Sequence, residues 1–366
     1  MMDAISTRTP VEPENEIREL GFSFSGNARE YFGIWIVNLL LSIVTIGIYT
    51  AWAKVRRLRY FYGNTWLDGY NFEYHAKPKQ ILIGRLIVFG ILLVVNLLVN
   101  FVSPLFGLIF IPYLLALPWL INKSMAFNAR MTSYRNVRLN FRGSYWGAFG
   151  CFIIMPYLAI LSLGLLAPVT SRLSSNYIGR HLGYGTSRFE TSAPLGKLYA
   201  NLGMTFLFAI GAGLIVTILA AAVGSGLLAS SDIALRARFP SSGMGSLSSI
   251  AAVIGAYAGI ILAFLFYLAG VRNVAFNSTK LDGQHSFNST LGRGRYVWIL
   301  VSNLVASIVT IGMLRPWAAI RTWKYLCAST ALVAAGSLDH FVDEAAPQGN
   351  VASAEFFDIE GIDFGL

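Results

Sequence analysis

Two distant stretches of this chain are copies of one another. The run YFGIWIVNLLLSIVTIGIYTAWAKVRRLRYFYGNT, from Tyr31, aligns without a gap on YVWILVSNLVASIVTIGMLRPWAAIRTWKYLCAST, from Tyr296. Tyr31, Asn38, Ser42, Thr45, Gly47, Trp52, Arg56, Tyr60 and Thr65 fall on Tyr296, Asn303, Ser307, Thr310, Gly312, Trp317, Arg321, Tyr325 and Thr330. Each copy joins an apolar run of near-membrane length to a basic, aromatic helix. A drifted third copy, YWGAFGCFIIMPYLAILSLGLLAP, keeps the aromatic start and a Leu-Ser-Leu-Gly ending. The chain is therefore built from a repeated apolar unit, and any fold must place that unit at least twice.

Composition sets the solvent. Hydrophobic residues make up 55% of the chain and charged residues 13%, with a mean hydropathy of +0.59. Soluble domains carry roughly 25% charged residues, so this balance points to a membrane protein. Four segments read as ordinary transmembrane helices, near Ile81–Phe101, Leu105–Ile121, Leu202–Leu228 and Ile250–Val271. The repeat segments are Tyr31–Trp52, Tyr145–Pro168 and Tyr296–Trp317. The net charge of +10 sits in short loops beside these spans, as in retained cytoplasmic loops that meet anionic headgroups. No nucleic-acid-binding motif is visible, and no nucleic-acid partner is expected.

The connectors share a grammar: basic and aromatic, then Thr, a turn and an alternating segment. Asp68-Gly69 leads to Asn71-Phe72-Glu73-Tyr74, and Arg135-Asn136 to Arg138-Leu139-Asn140-Phe141. His181 to Gly185 leads to Ser187-Arg188-Phe189-Glu190, and Asp282-Gly283 to His285-Ser286-Phe287-Asn288, with one extra residue. Such turns flanked by period-two alternation predict short β-hairpins. The segment Gly21 to Gly26, GFSFSG, reads as a lone strand able to pair with them. The fifth connector, TALVAAGSLDHF, lacks the Asp-Gly turn.

Every hairpin connector is basic, so the positive-inside rule puts all of them in the cytoplasm, with both termini. Single crossings by the repeat segments would instead alternate the connectors between sides. Two readings stay open. The repeat segments enter and return, breaking at Thr45-Ile46-Gly47, at Pro156 and at Thr310-Ile311-Gly312, as in some transporters; or they are plain spans with imperfect charge bias.

Catalytic signals are absent. His75, His181, His285 and His340 lie in or after hairpins at no metal spacing, so no catalytic residue, metal or cofactor is assigned. Solvated turn histidines are the expectation. Cys151 and Cys327 read as buried free thiols. Asn38, Ser42 and Thr45 are spaced four and three, hence share one helix face. That face and its repeat, Asn303, Ser307 and Thr310, can line a polar pathway, although helix–helix hydrogen bonding is the commoner use of such residues. Trp52, Lys54, Arg56 and Arg57, with Trp317 and Arg321, set indoles at a membrane boundary with cations beyond. They read as interfacial anchors or a lipid-headgroup site.

The opening FSFSG, the run NLLLSIVTIGIYTAWAKVRRLRYFYGNT, the Asp-Gly turn and the second IVTIGMLRPW together resemble the YjgN-like family, over about Gly21 to Thr330. The resemblance implies a helical protein of a bacterial cytoplasmic (inner) membrane and carries no established activity. The expected fold is a polytopic α-helical membrane protein with internal repeats, its hairpin connectors forming a small cytoplasmic β-structure. Residues 1–20 are expected to be a disordered tail, 21–330 the transmembrane domain, and 331–366 an acidic tail that docks on the connectors or on a protein partner. Enzymatic function is not expected. The preferred role is a transporter or channel for a small solute; the alternative is a scaffold that binds a partner or lipid.

Overall fold

The computed structural model describes residues 17–101, 108, 110–229 and 241–346. Its strands are β1 (Ile17–Gly21), β2 (Ser23–Phe24), β3 (Thr65–Leu67), β4 (Tyr70–Tyr74), β5 (Thr132–Tyr134), β6 (Val137–Phe141), β7 (Leu182–Tyr184), β8 (Ser187–Thr191), β9 (Thr279–Leu281), β10 (His285–Ser289) and β11 (Thr330–Ala335). All belong to one 11-stranded sheet in the order β1-β11-β10-β9-β8-β7-β6-β5-β4-β3-β2. Every pairing is antiparallel. The two end strands are neighbours in the chain, separated by Phe22 alone, whose N–H donates to Thr330 O at 3.0 Å. The sheet is thereby drawn into a ring.

This overturns the expected fold class. The β-structure is no small accessory to a polytopic helical bundle. It is a near-barrel that organises the chain, and among the described residues three helices are long and apolar enough to cross a membrane: Pro78–Asn100, Leu195–Ile215 and Gly255–Phe276. The expected span near Leu105–Ile121 is in part outside the described residues, and the helix that follows, Phe110–Arg130, is not among the three. The divisions at 20/21 and 330/331 fall inside β1 and β11; residues 1–16 and 347–366 lie outside the described residues. GFSFSG is not a lone strand: Gly21 ends β1, which pairs with β11, and Ser23-Phe24 is β2, which pairs with β3. β11 has no hairpin partner of its own, because the N-terminal strand takes that place.

Turn chemistry accounts for the ring's register. Asp68 and Gly69, Arg135 and Asn136, and Asp282 and Gly283 all have positive φ, the pairing that I′-type hairpins need. Leu67↔Tyr70 and Tyr134↔Val137 then face across two-residue loops. The extra residue after Gly283 makes the β9–β10 loop longer, closing on His285↔Leu281.

Helices fill the gaps between hairpins, in pairs that leave the ring and return to it. The pairs are α1 (Ala28–Val44) with α2 (Thr50–Gly63), and α3 (Pro78–Phe101) with α4 (Phe110–Arg130). Next come α5 (Tyr145–Phe149) and α6 (Met155–Leu161), joined by a π-helical turn, with α7 (Ala167–His181). The last are α8 (Leu195–Ala229) with α9 (Ser241–Phe276), and α10 (Arg293–Val309) with α11 (Arg315–Ala328). Consecutive pairs pack side by side, and α1 packs on α11, so the helices follow the ring around. The short helix α12 (Leu338–Ala345) comes last.

Each repeat segment doubles back on itself at a tight turn. Ile46 and Gly47, Leu163 and Gly164, and Ile311 and Gly312 share one left-handed tip, with φ near 50° and then 88°. At each, the glycine N–H donates back along the first helix: Gly47 to Ser42 O, Gly164 to Ala159 O, Gly312 to Ser307 O. Hydroxyls of Thr45, Ser162 and Thr310 accept from the N–H of Tyr49, Leu166 and Leu314 at 2.9, 3.0 and 3.1 Å. The middle break is therefore at Leu163-Gly164, not Pro156, which begins α6 after the π turn. A bulky non-glycine residue is strained in this region, yet Ile46 and Ile311 are each 94% exposed and Leu163 90%. An apolar side chain kept at such a cost on a bare tip fits an apolar surrounding.

A methyl group at Gly47 meets open space, so its only cost is backbone strain. Gly47→Ala should lower stability by about 1–2 kcal/mol, read as a lower melting temperature in detergent; an unchanged melt would contradict the left-handed tip.

Candidate functional site: an apolar cavity inside the ring

Each strand that follows a turn carries its middle residue inward: Phe72 of β4, Leu139 of β6, Phe189 of β8, Phe287 of β10, with Leu332 of β11 completing the circle. The residue before each turn makes a second tier of Leu67, Tyr134, Tyr184 and Leu281, all buried. Cross-strand register binds the tiers, as in Phe72↔Tyr134, Leu139↔Tyr184, Phe189↔Leu281 and Phe287↔Leu332. Intervening residues such as Arg138 and Arg188 are exposed on the outer face, the alternation of a small barrel with a filled interior.

The filling is incomplete. A cavity of about 450 Å³ lies inside, with Ser175, Ile178 and Gly179 of α7 and Ala275 and Phe276 of α9 among its walls on the helical side. Gly179 is needed for that closure, since a Cβ there would come within 1.9 Å of Thr191 Oγ1. The polar groups near the walls are mostly satisfied internally. Thr191 and Thr279 hydroxyls bond each other at 2.8 Å. Tyr134 and Tyr184 donate to Leu67 O and Tyr134 O, and burial pushes the Tyr134 phenol up to about 12, so it stays neutral. The chamber is apolar and uncharged.

At the turn rim α12 acts as a stopper. Leu338, Phe341, Val342 and Ala345 are buried on one helical face, the i, i+3, i+4, i+7 pattern of an amphipathic helix. Phe341 stacks on Tyr184 and meets His285 edge-on at 4.4 Å between centroids. Thr186 N–H donates to Ala345 O at 3.0 Å, and Arg135 pairs with Asp339. A Cβ at Gly185 would strike Ala345 O. The helix thus docks by apolar shape with one ion pair at its edge.

The structure uses the residues singled out from sequence differently. Ser42, Thr45, Ser307 and Thr310 donate to carbonyls of their own helices. Asn303 Nδ2 holds α11 through Ala318 O and Thr322 Oγ1, while its Oδ1 accepts from Arg321. Asn38 is buried with Oδ1 unpartnered. None of the six lines the cavity. Trp52 stacks on Tyr49, Arg57 lies over Phe61 and Arg321 over Trp317; Arg56 is exposed. Lys54 lines a separate groove. Cys151 and Cys327 are free thiols, half-buried and buried. The cavity residues went unassigned in sequence, although a signal was present: a large apolar residue recurs at the centre of each alternating segment.

His285 departs from the solvated turn histidine expected. It is 1% exposed, its Nδ1 accepts from Ala335 N–H at 3.2 Å, and its Nε2 has no partner. Burial pushes its pKa down from 6.5, against a smaller upward pull from Asp282.

The chain matches the family described as bacterial protein of unknown function (DUF898) over residues 19–359. It belongs to that family. It is 26% identical to inner membrane protein YjgN of Salmonella typhimurium, over 86% of this chain and 88% of that one. It is 24% identical to inner membrane protein YjgN of Escherichia coli K12, over 89% and 91%. No solved structure matches. The membrane character expected from composition agrees with these names and with the three long apolar helices.

A histidine held neutral in the fold but free to protonate when unfolded favours the folded state fully above pH 6.5, and that contribution is lost as pH falls below it. Seating of α12 should therefore weaken as pH falls below 6.5, seen as faster proteolysis near 338–346. His285→Phe should flatten that dependence; an equal slope in the variant would assign it elsewhere.

Proposed function

We propose that this protein resides in the bacterial inner membrane and holds an apolar molecule of lipid size inside its β-ring. The helical pairs sit in the bilayer, and the ring with both termini faces the cytoplasm. The cavity carries this reading: about 450 Å³ of apolar, uncharged space falls within the roughly 300–1,000 Å³ range of small-molecule sites. Dry apolar cavities favour apolar occupants. The names of the relatives and the basic residues crowded on the ring side of the helices support the placement. Because all hairpins join one sheet, they share one side of any bilayer the helices enter.

Transport is the second reading. The observation that favours it is α12, which stops the turn-side mouth and would have to leave for anything to pass. This reading does not draw on Asn38 or Asn303, whose surroundings lie within the helical pairs.

Two experiments test the proposal. Mass spectrometry of the purified, delipidated protein should find one tightly held apolar molecule. Leu139→Trp, which fills the cavity, should reduce its occupancy about tenfold, the scale of roughly 1.4 kcal/mol; full occupancy in a folded variant would reject the cavity as its site. Single cysteines at Asp68, Thr186 and Asp282, in a background without Cys151 and Cys327, should resist an impermeant maleimide in intact cells. All three should react in inverted vesicles. Labelling of any one from outside would reject the cytoplasmic ring.

A further inference from the structure

A second, separate space lies on the outside of the helical layer. Lys54 of α2, Arg85, Val88, Phe89 and Leu92 of α3, and Leu120, Ile121 and Ser124 of α4 enclose a groove of about 490 Å³. Two cations stand among its lining residues with no carboxylate. Lys54 is half-buried and Arg85 exposed. Arg85 Nη1 donates to Thr50 Oγ1 at 2.6 Å, which ties the guanidinium to α2 and leaves other donors of its fork free. Arg85 lies two turns into the apolar span Pro78–Asn100, within snorkelling reach of headgroups at the start of that span. Phe89 and Leu92, further along the span, are exposed.

Charge at one end and uncovered hydrocarbon at the other match one class of molecule. We propose that this groove binds an anionic phospholipid of the bilayer, with its phosphate between Lys54 and Arg85 and an acyl chain along Phe89 and Leu92. A guanidinium fork and an ammonium are the usual partners of a phosphate oxygen pair. A phosphate also relieves the repulsion of two cations that the lining leaves unneutralised. The internal repeat supplies a contrast. The position equivalent to Lys54 is Ala319, whereas Trp52 and Arg56 are repeated as Trp317 and Arg321. The site is a property of the first helical pair, not of every pair.

The proposal rests on the bilayer placement above, and extraction with alkaline carbonate tests that placement independently. The full chain, in vesicles of phosphatidylcholine with or without phosphatidylglycerol, is treated with an amine-reactive reagent, and modification is read at Lys54 and, for reference, Lys280. Phosphatidylglycerol should slow modification of Lys54 about fivefold or more, on the scale of roughly 1 kcal/mol per cation near a membrane, with much less change at Lys280. Arg85→Gln should remove most of that protection and Arg85→Lys should keep part of it. Leu92→Trp, which fills the groove and keeps both charges, should remove it too. Equal reactivity of native Lys54 in the two vesicle types would overturn the proposal. So would full protection in folded Leu92→Trp, or equal protection by inorganic phosphate with phosphatidylcholine alone, which would assign a free anion instead.

Discussion

Two short strands in tandem close this structure: β1 pairs with β11, and β2, one residue later, pairs with β3. An antiparallel sheet left open there would present two rows of unpaired backbone groups, which invite pairing with other chains. Joining them through a single residue satisfies both edges. It also forces curvature, and curvature turns the inward-facing residues of the strands into the wall of a chamber.

Closure also dictates what the helices do. Strands that belong to one sheet share one side of a membrane, so an apolar segment between neighbouring strands has to come back. The repeat segments do so through a left-handed Ile-Gly or Leu-Gly step with a Ser or Thr hydroxyl capping the return. At 17 residues, α1 rises about 25 Å, less than a hydrocarbon core of about 30 Å. The hydrogen-bonding residues near these tips serve the turn itself. Ser42, Thr45, Ser307 and Thr310, which look like a polar face in sequence, each donate to a carbonyl of their own helix.

The chamber follows from the same geometry. Two tiers of large side chains line the ring without filling it, and α12 fills only the turn end. What remains is apolar space bounded by Tyr134 and Tyr184 hydroxyls turned to backbone carbonyls. His285, at the start of β10, is buried against Phe341 of the stopper. Burial there removes the water that would otherwise stabilise its charge, so a residue resembling an ordinary turn histidine favours its neutral form.

Much was legible in the residues themselves. The repeat, the break points at Ile46-Gly47 and Ile311-Gly312, the two-residue turns and the alternation in β4, β6 and β10 are local features, set by backbone sterics and a period of two. A membrane setting follows from composition. The ring was not legible, because alternation says that a strand has an inner face but not which strand it meets. Long-range pairing decided that β11 takes the N-terminal strand as its partner, that the hairpins join into one near-barrel instead of small pieces, and that Leu338–Ala345 stops its turn end. The chain alone determined which residues turn, alternate and avoid water. The tertiary structure decided that their apolar faces converge on a common space, since that depends on closure between segments far apart in sequence.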